Sequence, residues 1–418
     1  MSGNPILWSP SEERQSRSAM YRFMRDAGAT SYQELHRWSL DDTVSFWQRL
    51  CEFCDVTLST PPKAVLSQPG DMTTARWFVG SELNFAEHLL RRDDDHPAIV
   101  FRGENGARRE LSYAELRAAV AAVAAGLRAA GVAPGDRVAG FLPNCQEAII
   151  AMLASASIGA TWSSCSPDFG INGVVDRFGQ IEPRVLFSAD GYLYNGKQFD
   201  SLDAVRGVVD KIDSIERIVV VPFTGDALQL PADSDYVSWD EFCIHGEPLQ
   251  FTPMPFDHPQ YIMYSSGTTG VPKCIVHGAG GTLVQHLKEL VLHCDIGPDD
   301  RVFYFTTCGW MMWNWLVSSL ATGATVVLFD GAPFCDDGRV LWQVAEEERL
   351  TVFGTSAKYL AALEKASVRP VDEFDLSELR TILSTGSPLA PASFDYVYDA
   401  IAEDLQLSSI AGGTDILG

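Results

Sequence analysis

From about residue 96 onward, short apolar runs typical of β-strands alternate along the chain with segments at helical spacing. Residues 98–102 and 161–165 are predicted strands, for example, and residues 146–159 form a predicted helix with an apolar stripe. Such alternation favours parallel sheets that are covered by helices on both faces. We therefore predict an α/β fold with parallel-rich sheets, in which ligands bind at the carboxyl ends of strands.

Residues 1–80 are predicted to form an N-terminal helical cap region, and residues 81–418 the main domain. One helix is predicted over residues 39–54, where apolar residues recur at steps of four and three: Leu40, Val44, Trp47, Cys51 and Cys54. The two cysteines could indicate a metal or redox site. The helical spacing favours packing on a partly buried face, and no second Cys-x-x-Cys motif or histidine pair completes a zinc site.

The net charge of −24 over 418 residues disfavours binding to nucleic acid or to an anionic membrane. Nine scattered cysteines, an odd number without a disulfide framework, favour reduced thiols in a cytosol. The N-terminus lacks the pattern of a secretory signal, and the longest apolar stretch is too short and too polar for a membrane span. We therefore expect a cytoplasmic protein without membrane insertion. The sequence does not indicate the oligomeric state.

Residues 264–273 read Tyr-Ser-Ser-Gly-Thr-Thr-Gly-Val-Pro-Lys and follow a predicted strand at residues 260–264. Hydroxyl and backbone N–H groups of such a loop can donate to phosphate oxygens, and glycine lets the backbone approach closely. The candidate nucleotide-binding residues here are Ser265, Ser266, Gly267, Thr268, Thr269, Gly270 and Lys273. A Walker A loop is excluded because Pro272, rather than glycine, precedes Lys273. A flexible turn is the alternative interpretation.

The whole string resembles the phosphate loop of the adenylate-forming superfamily, which includes acyl-CoA synthetases, peptide-synthetase adenylation domains and luciferases. The resemblance implies the large N-terminal domain of the adenylate-forming fold. It also implies catalytic roles for Thr268 and Lys273.

A predicted strand at residues 301–305 leads into residues 306–315, where three Trp and two Met stand close together. Such a cluster can line an apolar slot, or it can pack in the core, and composition does not separate these alternatives. The superfamily has its acyl-pocket motif at this place after the phosphate loop. By resemblance, the pocket candidates are Trp310, Met311, Met312 and Trp313.

Two further loops follow predicted strands. The first contains Gly386, Ser387 and Pro388, which a simple turn would also explain. In the superfamily this loop lies against the adenine ring, so the resemblance implies that role for these three residues.

The second loop spans residues 412–415, Gly-Gly-Thr-Asp, and resembles the superfamily element Tyr-Gly-x-Thr-Glu. By resemblance, Gly413 and Thr414 contact the nucleotide, with Thr414 on the α-phosphate and catalytic. Asp415 replaces the usual Glu as a catalytic residue and Mg²⁺ ligand. Gly412 falls where acetate-activating relatives carry a bulky Trp, which argues against acetate as the preferred acid. A turn or capped helix start is the alternative.

Other segments give weaker indications. Residues 162–170 resemble the superfamily segment near the acyl and CoA entrance. Lys197 lies where relatives contact CoA phosphates, although a solvated lysine explains it equally well. His277, just past the phosphate loop, could be a ligand, but a structural role is favoured.

Several segments along the whole chain resemble one family in particular, the acetoacetyl-CoA synthetases: residues 7–11, 80–86, 192–197, 309–314 and 409–416. The resemblance implies ATP-dependent activation of acetoacetate to acetoacetyl-AMP and then to acetoacetyl-CoA, with ATP, Mg²⁺ and coenzyme A. One alternative is a ligase for another short- or medium-chain acid. Another is a non-catalytic fragment that binds a nucleotide or an acyl group.

The chain ends at Gly418, three residues after Asp415. Members of this family continue with a Tyr-Arg-Thr-Gly-Asp-like element, a hinge and a small mobile C-terminal lid domain that carries a Lys for adenylation. We therefore expect a truncated chain without the lid domain, which makes little or no acyl-CoA on its own.

Overall fold

The protein is described by a computed structural model over residues 6–232, 235–265 and 270–418. Its strands are β1 Ala64–Ser67, β2 Arg76–Val79, β3 Glu82–Leu83, β4 Pro97–Gly103, β5 Arg108–Ser112, β6 Arg137–Phe141, β7 Thr161–Cys165, β8 Val185–Ala189, β9 Gly191–Tyr194, β10 Lys197–Asp200, β11 Arg217–Val221, β12 Tyr236–Ser238, β13 Met254–Pro255, β14 Pro259–Ser265, β15 Lys273–Gly278, β16 Arg301–Tyr304, β17 Thr325–Asp330, β18 Val352–Ser356, β19 Thr381–Thr385 and β20 Gln406–Ser409.

The α-helices are α1 Glu12–Arg17, α2 Ala19–Asp26, α3 Tyr32–Asp41, α4 Thr43–Phe53, α5 Phe85–Leu89, α6 Tyr113–Ala129, α7 Gln146–Ser157, α8 Ile171–Ile181, α9 Leu202–Val209, α10 Trp239–Phe242, α11 Ala279–Leu287, α12 Met311–Val317, α13 Val340–Glu347, α14 Ala357–Lys365, α15 Pro370–Glu373 and α16 Pro391–Ala400. A π-helical turn, Lys288–His293, continues α11, and two 3₁₀ turns lie at Ser318–Thr322 and Cys335–Gly338.

Two seven-stranded sheets organise the described part of the chain. The first sheet has the order β12-β11-β8-β6-β7-β14-β15, and the second has the order β20-β19-β18-β16-β17-β4-β5. Neighbouring strands are parallel in both sheets except at one edge of each, where β15 and β5 run antiparallel to their partners. The predicted α/β fold with parallel-rich sheets is therefore confirmed.

The apolar residues form a central core between the sheets and one outer core beyond each sheet. Successive residues of a strand point to opposite faces, so each strand supplies two cores. In β8, Val185 and Phe187 belong to the central core and Leu186 to the outer core of the first sheet. In β18, Val352 belongs to the central core and Phe353 to the outer core of the second sheet.

Gly354 of β18 sits beneath the ring of Tyr304 of the neighbouring strand β16. A Cβ atom at this position would overlap the tyrosine ring. The absence of a side chain at residue 354 thus lets Tyr304 lie flat against β18, and Tyr304 is fully buried there. This close approach sets one wall of the site described below.

The N-terminal region packs on the main body rather than standing apart from it. Phe23 and Leu50 lie in the central core, and the Ala19 N–H donates to Asp295 Oδ1 at 2.7 Å. Arg14 Nη2 donates to the Arg380 carbonyl at 2.8 Å. The domain boundary after residue 80 stays a prediction.

The predicted single helix over residues 39–54 is wrong. Helix α3 ends at Asp41, and Asp42 caps a new helix, α4, by accepting from the Ser45 N–H. As a result, Leu40 is 66% exposed instead of lying on the apolar stripe. Cys51 and Cys54 are buried as expected, and burial raises the pKa of both thiols to about 12. Both thiols are therefore protonated and contribute packing.

A second difference concerns the segment after the phosphate loop. No strand was predicted between the phosphate loop and residue 301. The structure has β15 there, which runs back along β14 with Lys273 opposite Ser265, and α11 begins at Ala279. Strands β14 and β15 therefore form an antiparallel pair at the edge of the first sheet. The run Cys-Ile-Val in β15 is short and half-buried, so its alternation is a weak signal.

Candidate active site

A cavity of about 630 Å³ lies where the two sheets meet. Its walls come from residues within or just after six strands: β7, β14, β16, β18, β19 and β20. Because ligands of parallel α/β folds bind at the carboxyl ends of strands, this cavity is the candidate active site. Three of the loops that the sequence singled out contribute to it.

The Trp/Met segment forms one wall. Trp310, Met311 and Met312 line the cavity, and Trp310 is 57% exposed at the start of α12. Trp313 does not join them, because its indole is fully buried and Nε1 donates to Asn144 Oδ1 at 3.1 Å. The structure thus places three of the four candidate pocket residues on the wall and Trp313 behind it.

The loop after β19 forms another part of the lining through Gly386, Ser387 and Pro388. Gly386 has φ +89°, a left-handed conformation that glycine adopts without strain. All three residues are exposed, as a surface that receives a ligand requires.

The loop after β20 closes the cavity with Gly412, Gly413 and Thr414. Asp415 follows in an exposed turn, in which the Leu417 N–H donates to the Gly413 carbonyl at 3.0 Å. A Cβ atom added to Gly412 would overlap the carbonyl oxygen of Gly418. The turn therefore depends on the missing side chain at residue 412.

The phosphate loop is described only at its ends. The candidate residues Ser266, Gly267, Thr268 and Thr269 lie outside the described residues. Ser265 ends β14, Gly270 has φ +110°, and Lys273 begins β15 with an exposed side chain. Tyr264 lines the cavity, so the end of β14 borders it.

Lys197 lies apart from this arrangement. It begins β10 in the short antiparallel hairpin of β9 and β10, where it is exposed and does not belong to the cavity lining. The Asn195 and Gly196 N–H groups of that hairpin donate to Glu104 at 2.9 and 2.8 Å.

Two polar residues of the lining, Ser163 and Ser164, were not candidate site residues, although they belong to the segment 162–170 that the sequence indicated weakly. Ser163 Oγ donates to the Ile262 carbonyl at 2.8 Å, and Ser164 Oγ donates to the Cys308 carbonyl at 2.6 Å. These bonds join β7 to β14 and to the start of the Trp/Met segment. The sequence offered one further signal for these two serines. They lie in a predicted strand, residues 161–165, and ligands of such folds bind at the carboxyl ends of strands.

His277 of β15 reaches the loop after β20. Its Nε2 donates to the Thr414 carbonyl at 2.7 Å, and burial lowers the pKa of the imidazole. His286 of α11 similarly bonds through Nε2 to the Leu417 carbonyl at 2.9 Å. Two histidines thus hold residues 414–417 against the strand and the helix that follow the phosphate loop.

Known proteins share this architecture. The family described as AMP-binding enzyme matches residues 85–413. This chain belongs to the AMP-binding enzyme family. A second family, described as the acetyl-coenzyme A synthetase N-terminus, matches residues 32–89. The AMP-binding match includes the phosphate loop, the Trp/Met segment and the loop after β19, and it ends at Gly413 within the loop after β20. The predicted adenylate-forming fold is confirmed.

Individual relatives of this AMP-binding enzyme are similar over almost its whole length. The acetoacetyl-coenzyme A synthetase of Rhizobium meliloti (strain 1021) is 49% identical over 98% of this chain, which spans 64% of that relative. The acetoacetyl-CoA synthetase of Danio rerio is 43% identical over 99% of this chain and 63% of the relative. The solved structure of acetoacetyl-CoA synthetase from Streptomyces lividans matches with a TM-score of 0.93 and 43% identity, over 99% of this chain and 65% of that one.

The described residues of this AMP-binding enzyme contain no helix that is both long and apolar enough to cross a membrane.

Proposed function

We propose that this chain carries the acid-activation site of an acetoacetate–CoA ligase. The observation that supports this most strongly is the joint lining of one cavity by the Trp/Met wall and by the loops that contain Ser387 and Thr414. An acyl pocket and a nucleotide site must be adjacent for a carboxylate to meet the α-phosphorus of ATP. The similarity to acetoacetyl-CoA synthetases supports acetoacetate as the acid.

The proposed reaction has two steps. First, a carboxylate oxygen of acetoacetate attacks the α-phosphorus of ATP, an O–P bond forms, and pyrophosphate leaves with the electrons of the broken P–O bond. Next, the sulfur of CoA attacks the acyl carbon, AMP leaves, and the thiol proton passes to solvent. The protein chiefly positions the reactants and offsets charge on phosphate oxygens. We propose this electrostatic role for Thr268, Lys273 and Thr414.

We propose different roles for two groups of residues that line the cavity. Trp310, Met311 and Met312 would enclose the acyl chain and exclude water from the reacting carboxylate. Gly386, Ser387 and Pro388 would lie against adenine. Among the lining residues, Thr355 has a fully buried Oγ1 without a partner in the described part of the chain, as suits a wall that gains a bond from its ligand.

Asp415 is the proposed Mg²⁺ ligand. The described ranges contain no cluster of three or more His, Cys, Asp or Glu that could hold a metal. A single exposed carboxylate nevertheless fits Mg²⁺, which keeps several waters and takes its remaining ligands from phosphate oxygens. When bound, the ion would neutralise charge on the phosphates. Coenzyme A would be the acyl acceptor, and contact of Lys197 with its phosphates stays a proposal.

The test measures binding and turnover separately. Calorimetry with ATP and Mg²⁺, and with a sulfamate analogue of acetoacetyl-adenylate, should show binding to the chain. Thr414→Val and Asp415→Asn should weaken ATP binding at least about fivefold, the equivalent of one lost hydrogen bond. Asp203→Asn, on α9 outside the cavity, is the matched control. Absence of binding by the unaltered chain would contradict the proposal.

Pyrophosphate release is the second measurement. Acetoacetate should be preferred over acetate, propionate and butyrate when the release is compared among these four acids. Preference for one of the other acids would replace acetoacetate in the proposal with that acid. Binding of ATP by this chain without acyl-CoA formation would favour the alternative of a non-catalytic binding unit.

A further inference from the structure

Asn314 is a polar residue on an otherwise apolar wall. It lies in α12, three residues after Met311 and four after Trp310, so all three share one side of the helix. Each of them lines the cavity, whereas Trp313 points away into the core. Asn314 is only 3% exposed. A carboxamide has thus been placed at the buried end of the proposed acyl pocket.

Burial of an amide is unfavourable unless its hydrogen bonds are made. Asn314 and Tyr261 both line the cavity, and the Tyr261 hydroxyl donates to Met152 Sδ at 3.4 Å. Burial raises the pKa of Tyr261, and hydrogen bonding from Asn314 and Gln260 lowers it in part. An asparagine carries two N–H donors and one acceptor oxygen. Even where one N–H donates to the phenol oxygen of Tyr261, the second amide N–H is available to a ligand in the cavity.

Three neighbouring hydroxyls are already engaged. The Ser163 and Ser164 hydroxyls donate to backbone carbonyls, and Tyr304 OH donates to the Thr355 carbonyl at 3.4 Å. Two rival donors on the lining are buried without a partner in the described residues, the Thr355 hydroxyl and the indole N–H of Trp162. Neither belongs to the Trp/Met wall, whereas Asn314 lies one helical turn after Met311.

We propose that Asn314 donates a hydrogen bond to the C3 carbonyl of the acid and thereby selects 3-oxo acids over saturated acids of equal length. The inference rests on the proposed function, because it assumes that the cavity holds an acyl group. A saturated chain would leave the buried amide N–H unpaired. A pocket that hydrogen-bonds its substrate rejects an analogue that lacks the bonding group more strongly than an apolar pocket rejects a missing methylene.

The experiment compares two ligands of nearly equal size by calorimetry. They are the sulfamate analogues of acetoacetyl-adenylate and butyryl-adenylate, which differ by an oxygen at C3. The unaltered chain should bind the acetoacetyl analogue about 10- to 100-fold more tightly. Asn314→Leu, which keeps the number of side-chain heavy atoms and their branching, should lose most of that ratio while keeping its affinity for the butyryl analogue.

Three variants serve as controls. Met311→Leu alters the same wall without removing a donor and should keep the ratio. Trp162→Phe removes one rival N–H together with part of a buried ring, and Thr355→Val removes the rival hydroxyl at nearly constant volume. Both should also keep the ratio. Loss of the ratio in Trp162→Phe or Thr355→Val, with retention in Asn314→Leu, would overturn the assignment to Asn314.

The outcomes separate the inference from the function on which it rests. Failure of the unaltered chain to bind either analogue would overturn the proposed function. Equal affinity of the unaltered chain for both analogues would leave the acyl site intact and overturn the inference alone. That last measurement needs no variant, so it decides the question even if Asn314→Leu does not fold.

Discussion

His277 Nε2 donates a hydrogen bond to the carbonyl oxygen of Thr414 at 2.7 Å. The bond joins the strand that follows the phosphate loop to the turn that contains Asp415, and these segments are 137 residues apart in the chain. Two candidate phosphate-binding elements are thus fixed to one another by a side chain that neither motif includes. A structural role for this histidine was expected, and the bond shows what it holds.

Replacing His277 should weaken nucleotide binding. In His277→Phe the Thr414 carbonyl loses its donor, so we expect ATP affinity to fall about 5- to 30-fold, the equivalent of roughly 1–2 kcal/mol. His277→Gln keeps an N–H donor and should recover part of the loss. Calorimetry measures both, with the exposed His245→Phe as control. Identical affinities for the Phe and Gln variants would argue against the hydrogen bond as the cause.

Gly412→Ala should disrupt the loop after β20, because the new Cβ would overlap the Gly418 carbonyl oxygen. We expect binding of the acyl-adenylate analogue to fall at least about tenfold. The control is Gly179→Ala in α8, where a Cβ would meet nothing within 4 Å. Unchanged binding by Gly412→Ala would mean that the loop adjusts freely. That Gly412→Trp in a full-length version shifts preference toward acetate stays a prediction.

His286 should make stability depend on pH. Burial lowers its pKa from 6.5 to about 4, so the unfolded chain binds this proton more readily than the folded one. The stabilisation is therefore complete above pH 6.5 and is lost as the pH falls toward 4, by about 3 kcal/mol at most. Urea denaturation of the unaltered chain and of His286→Gln between pH 7.5 and 4.5 measures the contribution of His286 to the free energy of unfolding. If the free energies of both proteins change with pH in parallel, His286 is not the cause of the pH dependence.

Glu348 should be a large single contributor to stability. It is buried and pairs with Arg102, Arg108 and Arg301 at 2.8–2.9 Å. Burial raises the pKa of Glu348, but the hydrogen bonds from Arg108 and Arg102 outweigh burial, so the pKa lies below its ordinary value. Glu348→Ala leaves these cations without their partner and should cost about 3–5 kcal/mol.

The adjacent Glu347→Ala is the matched control for Glu348. Its side chain is 40% exposed and also pairs with Arg102, so it should cost no more than about 1 kcal/mol. Thermal unfolding of both variants measures the difference. Equal costs would show that burial does not distinguish the two carboxylates.

Sequence patterns located the elements that carry strong, local signals. Strand β7 was predicted at its observed bounds, Thr161–Cys165, and the capping box that begins α6 at Ser112 is present with both hydrogen bonds. Short edge strands such as β5 and β15 were missed, because their pairing with a neighbour, rather than their own pattern, defines them.

The candidate site was likewise predicted in part. The loops of Met311, Ser387 and Thr414 each follow a predicted strand, and the structure places all three on one cavity. What the sequence could not supply was side-chain direction within a motif. Trp313 turns away from its neighbours toward Asn144, and that partner lies 169 residues earlier in the chain. Lys197 likewise lies outside the lining.

The flat contact of Tyr304 on Gly354 also acts as a check on strand alignment. If β18 slipped by one residue against β16, Phe353 or Thr355 would arrive under the ring, and either side chain would collide with it. The same slip would exchange the residues that face the central and outer cores. A misaligned sheet would therefore be rejected at a position that borders the cavity, so correct assembly of the second sheet and a correctly shaped pocket arise together.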